Sequence, residues 1–317
     1  MPQRLGPPRD EPLFERLAIV GLGLIGSSIA RAARHLNLAR CIVAVDRDEA
    51  VVGRVAEIGI ADEATGDLRA GVAGADLVVL CVPVGACGAV AAAMADALSP
   101  GATVSDVGSV KASVVAQVEQ HLPKGVHFVP AHPVAGTEHS GPDAGFPTLF
   151  LGRWCILTPP EGTQESAVER VAAFWTAMGS NVEIMTPQHH DLVLAITSHV
   201  PHLIAYNIVG TAADLETVTQ SEVIKFSAGG FRDFTRIAAS DPTMWRDIFL
   251  HNKDAVLEML GRLNEDIALL ARAIRWGEGD KLHDLFTRTR AIRRGIISSG
   301  QETPEPDFGR RREEPQG

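Results

Sequence analysis

Gly21, Gly23 and Gly26 lie at G-x-G-x-x-G spacing directly after the apolar run Leu17–Val20, at the start of a stretch with helical periodicity. Glycines so placed can cradle a phosphate. The first makes a tight turn, the second lets backbone approach a pyrophosphate, and the third lets helix pack on strand. The helix N-terminus, at Leu24 and Ile25, then offers free N–H groups and a positive dipole end to the phosphates. Asp46 closes the next β-branched run. A carboxylate there accepts hydrogen bonds from both hydroxyls of an adenosine ribose and repels a 2′-phosphate, which favours NAD over NADP. Arg47 beside it is the opposing feature, since a guanidinium can face a 2′-phosphate. Val82 and Pro83, at the end of a third apolar run, complete the expected cofactor edge.

Two later strand ends carry groups suited to proton transfer. Asp106-Val107-Gly108-Ser109-Val110-Lys111 forms a second glycine turn, and His132-Pro133 follows the run Val126–Ala131. In doubly wound sheets ligands bind at the carboxyl ends of the strands, so Ser109 and His132 are expected on the nicotinamide side of one crevice. A hydroxyl and an imidazole there suit removal of an alcohol proton as hydride leaves its carbon. The alternative for His132 is a satisfied structural histidine. Farther along, His189, His190, His199 and His202 cluster, and positions 190, 194, 198 and 202 form an i, i+4 stripe with a kink expected at Pro201. No Asp, Glu or Cys completes an evident ligand set around them, so no metal is expected; the readings are polar substrate contacts or helix capping and core hydrogen bonds. Arg232 and Arg236 stand at i, i+4 around Asp233. Arginine grips a carboxylate through a planar fork, which implies a carboxylated substrate, although a surface ion pair with Asp233 suits Arg232 better.

Positioning these groups requires an α/β fold. Leu17–Val20, Cys41–Val45, Leu77–Val82, Ala102–Asp106, Val126–Ala131 and Trp154–Leu157 are continuous apolar runs alternating with Ala-rich helical stretches. That order predicts βαβ units in a doubly wound, mostly parallel sheet covered on both faces. Beyond Thr186-Pro187, read as an N-cap followed by proline at the first helical position, strand signals vanish. The expected organisation is a disordered tail over 1–14, a dinucleotide-binding domain over 15–186, an all-helical domain over 187–299 and a second disordered tail over 300–317.

Composition narrows the function classes. The chain has 317 residues, with 29 Lys and Arg against 39 Asp and Glu, for a formal charge of −10. That balance argues against nucleic acid or an anionic membrane as partner. No uninterrupted apolar run approaches the roughly 18 residues of a membrane helix, and the first residues have no apolar signal-peptide core. Four scattered cysteines suit buried thiols in a reducing compartment, so a cytoplasmic protein is expected.

Taken in order, these motifs resemble one family, the prephenate/arogenate (cyclohexadienyl) dehydrogenases of tyrosine biosynthesis. The carriers are Val20–Ser27, Asp106–Lys111, His132-Pro133-Val134-Ala135-Gly136-Thr137-Glu138, Thr197–His202, Gly230–Ala238 and Ser240–Arg246. The resemblance implies a Rossmann-like NAD-binding domain followed by a helical domain that forms a homodimer. It implies that His132 is the base that takes the ring C4 hydroxyl proton, with Ser109 bonded to both. Ser198, His199 and His202 then belong to the substrate pocket, Arg236 holds a substrate carboxylate, and Glu138 and Asp233 lie near the pocket mouth. Two other readings remain: a different NAD(P)-dependent dehydrogenase with a helical dimer domain, and a non-catalytic NAD-binding sensor.

Overall fold

The computed structural model describes residues 5–137, 139–219 and 228–298. They form two compact units, one reaching to Val256 and one from Leu257 onward. The first begins with β1 (Phe14–Val20), α1 (Leu24–Leu36), β2 (Ala39–Val45), α2 (Glu49–Ile58), β3 (Glu63–Thr65), α3 (Leu68–Val72), β4 (Leu77–Leu80), α4 (Cys87–Met94), β5 (Thr103–Asp106), α5 (Ala112–Glu119) and β6 (His127–Phe128). These strands make a six-stranded parallel sheet in the order β3-β2-β1-β4-β5-β6. Its central strands read as unbroken apolar runs because both faces are covered: Leu17, Ile19, Leu77 and Val79 pack in one core, Ala18, Val20, Val78 and Leu80 in the other.

The run Val126–Ala131, expected as one strand, is divided between two sheets. Val129 N donates to Val104 O at 2.9 Å, whereas the Pro130 carbonyl, facing the other way, accepts from Thr158 N at 2.9 Å. The chain leaves the large sheet there and enters β7 (Ala131–Pro133), which pairs antiparallel with β8 (Trp154–Leu157); β9 (Asn181–Ile184), after α6 (Glu165–Ala177), pairs parallel with β8. His132 is therefore the middle residue of β7, an edge strand of a small second sheet, opposite Ile156, and not the end of a strand in the large one. Neither β3 nor β9 is visible as an apolar run. Both are short edge strands whose residues are mostly half-buried or exposed.

Residues 5–13, expected as a loose tail, are fastened to the sheet. Arg9 N donates to Leu36 O and Asn37 Nδ2 to Arg9 O, both at 2.9 Å, while Leu5 and Leu13 pack on the core. The Pro-rich composition masks two apolar anchors. The tail expected over 300–317 lies outside the described residues.

The helical part starts with α7 (Pro187–Leu194), capped by Thr186 Oγ1 on His189 N, and passes through a π turn (Ala195–His199) into α8 (Val200–Thr219). Pro201 explains the wide turn: it cannot donate to the Thr197 carbonyl, so the helix widens just before it. Over Pro187–Leu215 this helix is long and apolar enough to cross a membrane by length and composition, though no uninterrupted apolar run is. Its polar residues, however, bond to α5 and β7, as described below. Next come α9 (Gly229–Thr235), a 3₁₀ turn (Arg236–Ala239), α10 (Pro242–His251) and the start of α11 (Lys253–Arg275). The helices of 187–256 thus belong to the same compact unit as the sheets. The second unit consists of the rest of α11 and α12 (Gly279–Ser298), and it exposes Leu257, Leu269, Ile274 and Trp276.

Candidate active site

The cofactor edge forms where β1, β2 and β4 end. Gly21 adopts φ +96°, and a Cβ on it would lie 2.5 Å from the Cys81 carbonyl oxygen, so no other residue fits this crossing. A Cβ on Gly26 would collide with the Gly21 carbonyl, which fixes α1 close to the turn. Gly23 is different: nothing lies within 4 Å of a Cβ built there. The N-terminus of α1 has no side-chain cap and no acidic residue in its first turn. Backbone N–H groups and a positive dipole end beside open space fit a pyrophosphate. Leu24 is buried and Ile25 half-buried on this first turn. Val82 flanks it, its Cγ1 3.3 Å from the Cβ that Gly21 lacks, and Pro83 opens a 3₁₀ turn next to it. Asp46 is half-buried, and its carboxylate accepts from Leu22 N at 2.8 Å and Asp48 N at 3.0 Å, so it is oriented at the glycine turn; Arg47 is exposed.

The second cluster surrounds His132, which is 7% exposed. Its Nδ1 is joined to His190 Nε2 at 2.8 Å, and His190 Nδ1 to Asp191 Oδ1 at 2.8 Å. Asp191 also accepts from the amides of Lys111 (2.8 Å) and Ala112 (2.9 Å) at the start of α5. Asn252, capping α10, donates to the Asp191 carbonyl at 2.9 Å and reaches His199 Nδ1 at 3.0 Å. Beneath them Lys111 Nζ donates to Asp106 Oδ2 at 2.5 Å and to the Ala131 carbonyl at 2.7 Å, next to His132 in the chain. Gly108 N also binds Asp106 Oδ2, at 2.7 Å, so one wholly buried ion pair braces both the Ser109 loop and β7.

Several expected contacts differ. Ser109 is half-buried in its loop, and the partner of His132 Nδ1 is His190. The stripe of 190, 194, 198 and 202 does not survive the π turn. The extra residue in that turn brings His199, fully buried, toward Asp191, whereas Ser198 remains half-buried and lends its carbonyl to His202 Nδ1 at 2.9 Å. His202 stacks on Trp245 with ring centroids 3.6 Å apart. Arg236 is exposed on its 3₁₀ turn, near enough for its charge to act on His202, while Arg232 and Asp233 are exposed on α9. Glu138 lies outside the described residues. Among the described residues no group of His, Cys, Asp or Glu is arranged to hold a metal. Sequence reasoning missed Asp191, Asn252 and the brace of Lys111 and Asp106, and took His190 only as part of the stripe. The available signal was Asp191 itself, an ionisable group in an otherwise apolar helical run.

Burial sets the protonation of this cluster. Desolvation pushes His132 well below the usual imidazole range, with His190, Lys111 and His199 acting in the same direction. His199 is pushed down to about 4 by burial, against the pull of Asp191. A base must be neutral to accept a proton. The acid limb of kcat/KM is therefore expected below pH 6.5, with activity retained as pH falls through that value. A limb at or above pH 6.5 in a steady-state profile would contradict burial as the controlling effect.

A dinucleotide cradle with a buried neutral imidazole in the same compact unit defines a dehydrogenase that passes hydride from an alcohol to a nicotinamide. Known proteins narrow this. Residues 29–184 match the prephenate dehydrogenase nucleotide-binding domain, and residues 186–288 the prephenate dehydrogenase dimerization domain. A cyclohexadienyl dehydrogenase of Zymomonas mobilis is 43% identical over 89% of this chain and 96% of its own. A prephenate dehydrogenase of Bacillus subtilis is 32% identical over 89% of this chain and 76% of its own. The crystal structure of prephenate dehydrogenase from A. aeolicus, in complex with hydroxyphenyl propionate and NAD+, superposes with a TM-score of 0.84 at 34% identity, covering 89% of this chain and 98% of that one. The chain belongs to the prephenate dehydrogenase family.

Proposed function

We propose that the protein catalyses NAD-dependent oxidative decarboxylation of prephenate, arogenate or both, to 4-hydroxyphenylpyruvate or tyrosine. The observation that carries this reading is His132: a neutral imidazole anchored through its Nδ1. The bound dinucleotide supplies the hydride acceptor. His132 takes the proton of the ring C4 hydroxyl as hydride leaves C4, and Ser109 orients that hydroxyl. Loss of carbon dioxide from C1 then aromatises the ring, which supplies the driving force, so the protein needs orientation, a base and carboxylate clamps rather than a strong acid. Gly21, Gly23, Leu24, Ile25, Gly26, Val82 and Pro83 hold the dinucleotide, and Asp46 selects NAD over NADP.

In this reading His199, His202, Ser198 and Trp245 line the substrate pocket, and Arg236 holds a carboxylate by charge-assisted hydrogen bonds. Arg236→Gln is expected to raise KM by about 100-fold while kcat stays within a few fold, because a ground-state clamp holds substrate and transition state alike. An unchanged KM in steady-state assays would remove the arginine from this role. The exposed apolar residues of the second unit are suited to cover by a second copy of the chain, in keeping with a homodimer through the helical part and a cytoplasmic location. The direct test is formation of the reduced dinucleotide, NADH or NADPH, with prephenate and with arogenate, each with NAD+ and NADP+. Silence on both substrates, with NAD+ binding intact by calorimetry, would overturn the proposal.

A further inference from the structure

We propose that His190 and Asp191 act as a relay behind His132, fixing which of its nitrogens is the base and taking over the proton it collects. This relay rests on the proposed reaction. A carboxylate accepts hydrogen bonds, and the two Asp191 oxygens accept from the amides of Lys111 and Ala112 at 2.8 and 2.9 Å. His190 Nδ1, 2.8 Å from Asp191 Oδ1, must therefore carry a hydrogen. A neutral His190 then has only a lone pair on Nε2. His132 Nδ1, 2.8 Å from that atom, is consequently the donor, and His132 Nε2 is left unprotonated. Four hydrogen bonds thus select the tautomer that a base requires.

The same chain of bonds decides where charge goes. When the substrate O–H bond breaks, an N–H bond forms at His132 Nε2. The Nδ1–H bond of His132 breaks as an Nε2–H bond forms on His190, while the C–H electron pair leaves with hydride to the dinucleotide. The end state is a neutral His132 and a His190 imidazolium against the Asp191 carboxylate. Burial and the Lys111 ammonium, from the loop before α5, oppose charge on either ring. His199 from the π turn adds to that on His132, where no facing group favours charge, whereas Asp191 on α7 and Asp106 on β5 favour charge on His190. His190 and Asp191 do not touch substrate; they are positioning residues.

The test uses the full chain with NAD+ bound and two variants, since Asp191→Asn also removes a cap from α5. His190→Gln is expected to lower kcat by about 30- to 100-fold, to leave KM and the NAD+ dissociation constant within about threefold, and to move the acid limb of kcat toward lower pH by roughly one unit. Asp191→Asn is expected to move the limb in the same direction. Nitrogen-15 NMR of the wild-type imidazoles is expected to show His132 protonated on Nδ1. A protonated Nε2, or a His190→Gln enzyme whose limb does not move, would overturn the relay, because a merely structural role lowers kcat without shifting that limb. Wild-type silence on both substrates would instead overturn the proposed reaction, and the NMR tautomer would still decide the relay.

Discussion

His132→Asn is expected to lower kcat by three to four powers of ten, a loss of ~4–5 kcal/mol of transition-state stabilisation. Asparagine retains a donor and an acceptor of similar reach, so the contact to His190 and the β7–β8 pairing are kept. It has no basic nitrogen to receive a proton. Calorimetry is expected to give an NAD+ dissociation constant unchanged within about threefold, since the glycine turn is carried by other strands. The substrate KM moves little for the same reason: proton transfer develops in the transition state. A variant turning over within about tenfold of the parent would remove His132 as the base and would favour a water or Ser109 in its place.

Lys111→Met is expected to destabilise the first unit by about 3–5 kcal/mol, read as a fall in Tm of roughly 10 °C. Lys111 and Asp106 are both wholly buried, and burial already raises the Asp106 carboxyl, with the Lys111 ammonium working against that rise. Without the ammonium the carboxylate keeps only Gly108 N among the hydrogen bonds to its Oδ2, and the Ala131 carbonyl also loses its donor. The double variant Asp106→Asn/Lys111→Met is expected to recover part of the loss, because it leaves no uncompensated charge in the interior. A single variant with an unchanged Tm would show that water or a nearby rearrangement solvates Asp106, and the ion pair would then not be the brace between the Ser109 loop and β7.

The glycine turn and the βαβ order were legible because each rests on local rules: glycines where a Cβ collides, and apolar runs where both faces of a sheet are covered. His132 was legible as a candidate base from its residue type and its place after a strand. Its actual setting was not, because the strand is divided between partners far away in sequence, Val104 for Val129 and Thr158 for Pro130. Short edge strands such as Glu63–Thr65 leave no apolar trace, since edges are partly wet. Asp191 is the most instructive omission. Its significance comes from partners at Lys111, Ala112 and Asn252, about 60 to 80 residues away, which no spacing rule connects to it. Resemblance supplied the roles of Ser109 and Arg236, but gave no hint that His190 holds the Nδ1 of His132.

The π turn at Ala195–His199 has a bearing on how this site can be transplanted. A regular helix fixes the angular offset between any two residues, so a grafted motif needs only the right side chains at the right spacing. Here one surplus residue in the turn resets that offset between Asp191 and His202. A host scaffold with an unbroken α-helix can therefore orient His190 and Asp191, or His199 and His202, but not both sets together. A design that copies the side chains must import the phase slip as well, with Pro201 to hold it in place. Deleting one residue within the turn provides the complementary manipulation, turning the distal histidines by about 100° while leaving the proximal pair where it was.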